Sequence, residues 1–398
     1  HCISSAASDV YKRQALAQRH HGQSMLQPMQ DDLFGAPPSP PPSPPSSAPV
    51  PPAASTAPGG RKPASRKAVG AVQLAPQALQ WQALADQLPQ GLRMGVSTWS
   101  YPGWEGLIWD GAYDKSVLAK KGLEAYGRHP LMRTVCVDRS FWRPLTASQY
   151  LAFAGQVPAD FRFVVKCPSV VTDAQVRDED GKGMSLNPVF LQPDLAVTSF
   201  VEPTLEGLGE QLGVLVFQLS PMTWGLLSRP TELLARLQAM LDAVRAALAA
   251  HPLGAQIIVA VEVRDPELLT PELADTLRAA GATFCLGLHG KMPPIEEQLV
   301  FLRGLWPTPL VCRWNLNREF GAYGYPDAQT KHDPFDEIRT PDVHTRAILA
   351  KTIDGITSRG LPAFVTVSND AEGCAPRSIA LLAEAVVQAQ AARIQRLP

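Results

Sequence analysis

Eight short runs of strand-forming residues recur along the chain. Each is followed by a segment long enough to cross back and lay the next run parallel to the last. They read RMGVSTW, RTVCVDRSF, FRFVVKCP, GVLVFQLSP, IIVAVEVR, TFCLGLHG, LVCRWNLN and AFVTVSND. Helical patterns lie between them. TPELADTLRAAG puts Thr270 at an N-cap, Pro271 at the first helical position and Gly281 at the stop. RPTELLARLQAMLDAVRAALAAH and APRSIALLAEAVVQAQAARI carry apolar residues at helical spacing. Strand and helix alternating eight times predict an α/β fold, a (β/α)8 TIM-type barrel. The rival, a doubly wound open sheet, calls for a GxGxxG loop after its first strand, and the first run lacks one.

With 398 residues, 45% of them apolar, the chain can fill one such core and still carry a tail. Residues 1–72 read as that tail. Its APPSPPPSPPSSAPVPPAASTAPGG tract has too little apolar surface to bury and predicts a disordered, semi-rigid linker, so the barrel domain is placed at 73–398. The opening segment has no signal-peptide core and reads as an upstream extension, with Met25 or Met29 as alternative starts. No apolar run is long enough to span a bilayer, so no membrane partner is expected. A net charge of −1 offers no global field toward nucleic acid. Six cysteines without a CxxC pair read as buried hydrophobes in a reducing compartment, which predicts a cytoplasmic protein.

Strand side chains alternate, so parity sorts them into two sets. Val135, Val137, Phe217, Leu219, Val261, Val263, Leu286, Leu288, Val365 and Val367 form an apolar set that belongs under the outer helices. The opposite set turns polar toward each strand's C-terminal end: Ser97, Asp138, Lys166, Gln218, Glu262, Arg264, His289, Arg313, Asn315, Ser368 and Asp370. In a barrel these side chains point inward and rise to the C-terminal mouth, where barrel enzymes keep their active sites. Just beyond the first strand, Trp99, Tyr101 and Trp104 are expected to wall that mouth for a ring or planar group, with Tyr323 and Tyr325 facing them from a long loop. Residues 171–212 and 317–342 are the two oversized crossovers, expected to act as lids or binding loops.

At these same residues the chain resembles the YecE-like family of barrels, the domain of unknown function seventy-two. The carrying stretches are GVSTWSYPGWEG, VCVDRSFWRPL, FRFVVKCPSVVT, LGVLVFQLSP, VAVEVRDPELL, VCRWNLN and VTVSNDAEGCA, from about Arg93 to the C-terminus. The resemblance implies a TIM-type barrel and no established reaction. The chain departs from the family's usual pattern at Cys136 and Trp142. It has Asp173 and Asp265 where histidine is common, and Asn315 in the Arg-x-His position. SND replaces a double asparagine. Lys166, Glu262, Arg264 and Arg313 are kept.

Two readings of function follow. In the first, an enzyme runs hydrolysis or another acid–base step on an anionic small molecule or phosphodiester. Lys166, Arg264, Arg313, Asn315 and Asn369 bind it beside Trp99, Tyr101 and Trp104, because guanidinium forks suit phosphate and carboxylate. Glu262, His289, Asp138 and Asp370 are the candidate proton carriers. The same four could hold a divalent ion, but three neighbouring cations compete for the carboxylates and no close-spaced ligand motif occurs, so no cofactor is expected. In the second reading, Gln30-Asp31-Asp32-Leu33-Phe34 resembles the pentapeptide by which many bacterial proteins dock on the DNA polymerase sliding clamp. Gln30, Leu33 and Phe34 would be the anchors, tethered through the proline tract.

Overall fold

The computed structural model describes residues 70–178 and 182–396. Eight parallel strands close into a barrel: β1 Leu92–Val96, β2 Thr134–Val137, β3 Arg162–Lys166, β4 Leu212–Gln218, β5 Ile258–Glu262, β6 Thr283–Leu288, β7 Leu310–Trp314 and β8 Ala363–Val367. Each pairs with its neighbours in sequence, and β8 closes on β1 through Leu92 to Val96 against Ala363 to Val367. The (β/α)8 architecture expected from the alternating pattern is the one observed.

One main helix follows each strand: α1 Lys115–Gly127, α2 Ala147–Ala154, α3 Glu202–Leu208, α4 Pro230–Ala249, α5 Pro271–Ala279, α6 Ile295–Arg303, α7 Val343–Thr357 and α8 Ala375–Ile394. Local chemistry sets their ends. Thr270 caps α5 by accepting from Leu273 N at 3.3 Å, and Gly281 just past its end adopts φ +61°. Thr146 and Gln149 form a reciprocal capping box at α2.

Parity also divides the core as expected. The ten apolar residues assigned to the outer face all lie in the large cluster between sheet and helices. A separate cluster fills the barrel's interior: Cys136, Val164, Val214, Val216, Ala260, Cys285, Val311 and Phe364. Two residues further along their strands, Cys136 leads to Asp138, Val164 to Lys166, Val216 to Gln218, Ala260 to Glu262 and Val311 to Arg313. The polar layer therefore stands directly on the apolar plug.

The two oversized crossovers carry secondary structure of their own. The stretch 171–212 is not irregular: it carries a hairpin, Gln175–Arg177 with Gly183–Leu186, and helical turns running from Pro193 to Leu208. The second long crossover contains a helix, Tyr325–His332. The run RTVCVDRSF leaves the sheet at Val137 and turns into a helical segment, Arg139–Trp142, which sets Phe141 beside the mouth. Among the described residues, no helix is long and apolar enough to cross a membrane, and the five cysteines there are free and buried.

Candidate functional site

The polar layer is organised around Arg313, at the end of β7 and 3% exposed. Its Nη1 donates to Glu262 Oε2 at 2.7 Å and Gln218 Oε1 at 3.0 Å. Its Nη2 donates to both oxygens of Asp138, at 2.9 and 3.0 Å. One guanidinium thus ties the ends of β2, β4, β5 and β7, with Nη1 on Glu262 and Gln218 and Nη2 shared between the two oxygens of Asp138. Arg264 Nη2 approaches Glu262 Oε1 to 2.6 Å as an ion pair and donates to Gln218 Oε1 at 2.9 Å. Gly287 of β6 makes room, since a Cβ there would sit 3.0 Å from Glu262 Oε1.

Glu262 is therefore a locked charge. Burial alone would raise its carboxyl, but Arg264 and Arg313 hold it down at about 2. Asp138 also accepts from the Cys136 thiol at 3.0 Å. His289 keeps its Nδ1 as acceptor for Lys291 N at 3.3 Å, which assigns the ring proton to Nε2. Burial and the nearby Arg264 push it down to about 3, so it stands neutral, an N–H donor rather than a proton carrier.

Two groups titrate closer to neutrality. Asp370, 6% exposed, is pushed up to about 6 by burial, with Ser368 Oγ donating to its Oδ2 at 3.2 Å. Lys166, 8% exposed, is pushed down to about 7 by burial and then by the Arg313 charge. Its Nζ lies 3.6 Å from the Phe141 ring centroid. Among the described residues no carboxylate pairs with it, because Asp138 and Glu262 are committed to Arg313. Ser140 steadies this corner: its hydroxyl bridges Val137 O and Lys166 O at 2.7 and 2.6 Å, tying β2 to β3.

Several buried polar atoms on this layer have no hydrogen-bond partner among the described residues. They include Arg264 Nε, His289 Nε2, Arg313 Nε, Asn315 Nδ2, Asn369 Nδ2 and Asp370 Oδ1. Asp370 Oδ1 and Glu262 Oε1, which meets Arg264 as an ion pair without a hydrogen bond, are the acceptors among them; the five nitrogens outnumber them, so the arrangement favours a ligand rich in acceptors. Asn369 Oδ1 is already used, accepting from Trp104 Nε1 at 3.3 Å and Ala375 N at 2.8 Å.

The three rings after β1 divide. Trp99 is 1% exposed and belongs to the outer core, edge-on to Phe153 of α2 at 5.5 Å with Arg139 4.8 Å from its ring centroid. Trp104 is fully buried and stacks on Trp109 at 6.3 Å. Neither forms the open wall expected of them; they pack under the loop. Tyr101 keeps partial exposure beside Asn369 and Asp370. Tyr325 sits against Arg264, whereas Tyr323 is 83% exposed and faces solvent. Asp173 and Asp265 are held in place by Arg177 at 2.6 Å and Lys291 at 2.7 Å. No group of three or more histidines, cysteines and carboxylates is placed to hold a metal ion among the described residues. The candidate set Asp138, Glu262, His289 and Asp370 does not fit one, since Arg313 occupies two of its members. Gln30, Leu33 and Phe34 lie outside the described residues. Phe141, the ring under Lys166, went unassigned in the sequence, where it stood only as part of a motif.

The family model described as protein of unknown function DUF72 matches residues 93–398. A solved structure agrees in fold. A DUF72 family protein from Enterococcus faecalis is 16% identical, with a TM-score of 0.50 over 74% of this chain and 95% of that one. Another, from Thermotoga maritima, is 18% identical, with a TM-score of 0.46 over 75% and 99%. No curated protein matches the chain.

Proposed function

The chain belongs to the DUF72 family, and on that premise we propose that its barrel mouth binds a small anionic compound and carries out an acid–base step on it, of which hydrolysis is one form. The observation that carries this reading is the uncommitted Lys166 amine beside an Arg313 whose two terminal nitrogens are committed to Asp138, Glu262 and Gln218. Arg313 and Arg264 together balance Asp138 and Glu262, which leaves Lys166 and one further carboxylate on the layer, Asp370. When Asp370 is protonated the layer carries three cations against two carboxylates, a net charge that an anion would balance. The unpartnered donors on His289 and Asn315 add direction to that attraction. Asp370 and Lys166 then serve as the proton carriers, since their ionisation lies nearest neutrality. Glu262 is a positioning residue and His289 a neutral donor.

Calorimetric titration with sulfate tests the reading, because sulfate does not itself titrate near neutral pH. Binding to the wild-type chain should weaken by about tenfold or more in Lys166→Met, the worth of one charge-assisted contact. Equal affinity in the variant would remove Lys166 from the site. Failure of the wild-type chain to bind would remove the anion reading.

A second reading rests on Gln30, Leu33 and Phe34, whose spacing resembles a sliding-clamp docking peptide. It adds a partner without changing the barrel chemistry. Retention on purified clamp should be lost in the Leu33→Ala/Phe34→Ala variant, and equal retention of both forms would end it.

A further inference from the structure

We infer that Lys166 is a nucleophile, and that the anionic compound bound at the mouth carries an aldehyde or ketone carbonyl with which the lysine amine condenses. The inference deepens the function proposed above and rests on it, since the compound's anionic group must be gripped for its carbonyl to reach Nζ.

Placement carries it. Lys166 is the last residue of β3, so a rigid strand fixes its Cα, and the Ser140 hydroxyl pins its carbonyl oxygen at 2.6 Å. The side chain is buried, yet its Nζ makes no hydrogen bond or ion pair among the described residues. The carboxylates that act on it, Asp138 and Glu262, are both held by Arg313. On one side lies the face of the Phe141 ring at 3.6 Å, a cation–π contact that works for the charged amine, but burial and the like charges of Arg313 and Arg264 outweigh it. Low dielectric and like charge both favour the free amine. At about 7 a substantial share is unprotonated at neutral pH, whereas a solvated lysine is almost wholly protonated. That is the state an amine nucleophile needs.

The step balances without a redox partner. The Nζ lone pair forms a bond to the carbonyl carbon while the C=O π pair moves to oxygen, which takes up a proton as nitrogen loses one. The resulting carbinolamine expels its hydroxyl as water and leaves the imine. Lysine amine and carbonyl thus give imine and water. The proton passes from nitrogen to oxygen by way of solvent, since Asp138 and Glu262 are held by Arg313. Arg264 and the His289 Nε2 proton are the donors left to hold the compound's carboxylate or phosphate. The protonated imine withdraws electrons from the adjoining carbon, which serves proton abstraction or carbon–carbon cleavage there.

Trapping tests this directly. The full chain is incubated with pyruvate, or separately with dihydroxyacetone phosphate, in cyanoborohydride, and the modified residue is located by peptide mass spectrometry. The expected result is an adduct on Lys166, formed faster as pH rises through about 7, slowed by sulfate and absent in Lys166→Arg. No adduct at Lys166, or labelling spread over exposed lysines such as Lys331 and unchanged in Lys166→Arg, would overturn it. Mapping the wild-type chain does not depend on the variant folding. Sulfate calorimetry run in parallel separates the two proposals. Sulfate bound with no adduct leaves the anion site standing and removes the nucleophile; no sulfate bound removes the reading beneath both.

Discussion

Arg313 and Glu262 meet at 2.7 Å on the floor of the barrel mouth, with side chains 3% and 0% exposed. Their strands, β7 and β5, are separated by β6, so the pair reaches across a neighbour through the barrel interior. Such a contact is internal scaffolding whose members cannot be removed singly without stranding a charge.

Replacing Arg313 by Met should therefore be costly. It leaves Glu262 facing only Arg264 and strips Asp138 of its ion pair, with only the Cys136 thiol still donating to it; breaking a buried pair in this way costs about 3–5 kcal/mol. Adding Glu262→Gln to that background should recover part of the loss, so the double variant is less destabilised than the sum of the single ones. Urea denaturation of the four proteins measures the coupling, and strict additivity would contradict the contact.

The acid side of the stability profile has two opposing contributions. Asp370 is raised from 3.8 to about 6, so the folded state holds its proton more tightly. Its contribution is full below 3.8 and lost as pH rises through about 6. Glu262 is lowered from 4.5 to about 2, so its contribution is full above 4.5 and lost as pH falls toward 2. Asp370→Asn should remove the first component and be more stable than wild type at neutral pH. A parallel pair of stability-against-pH curves would show that Asp370 is not shifted.

Lys166 acts with the opposite sign from a paired lysine. Its fall from 10.5 to about 7 means the folded state binds the proton more weakly. The penalty is full below about 7 and is relieved as pH rises toward 10.5. Lys166→Met keeps the bulk against Phe141 and should melt above wild type at neutral pH, with the gap closing in alkali. An unchanged or lower melting temperature at neutral pH would contradict a desolvated amine.

A buried glutamine supports the site from behind. Gln298 of α6 accepts from Gly287 N at 3.2 Å and donates to Gly287 O at 3.1 Å and Pro293 O at 2.8 Å. Gln298→Leu orphans these backbone groups and should destabilise by about 1–3 kcal/mol for each group left unpaired. Because Gly287 sits 3.0 Å from the Glu262 carboxylate by its would-be Cβ, the same change should also weaken sulfate binding. Stability lost with affinity intact would confine Gln298 to the scaffold.

Much of this is legible in the amino-acid sequence. Period-two alternation told Val261 from Glu262 and Val367 from Ser368, because a strand sends neighbours to opposite faces whatever its partners are. It therefore fixed which residues reach the mouth. It could not tell that Arg313 is spent on Asp138 and Glu262 while Lys166 is not, since pairing depends on strand order and stagger. Nor could it separate Trp99 and Trp104 from Tyr101: past Val96 the chain leaves the sheet and parity ceases to apply. Phe141 was hidden for a related reason, because β2 stops at Val137 and a helical turn, invisible in an apolar run, carries the ring to Lys166.

The most direct measurement is a crystal structure of the full chain grown with sulfate. The expected result is an anion on the mouth within hydrogen-bond distance of Lys166 Nζ, and of Arg264 or His289 Nε2. Sulfate at saturating concentration bound only on the outer surface, with Lys166 and Arg264 untouched, would contradict a ligand site in this barrel.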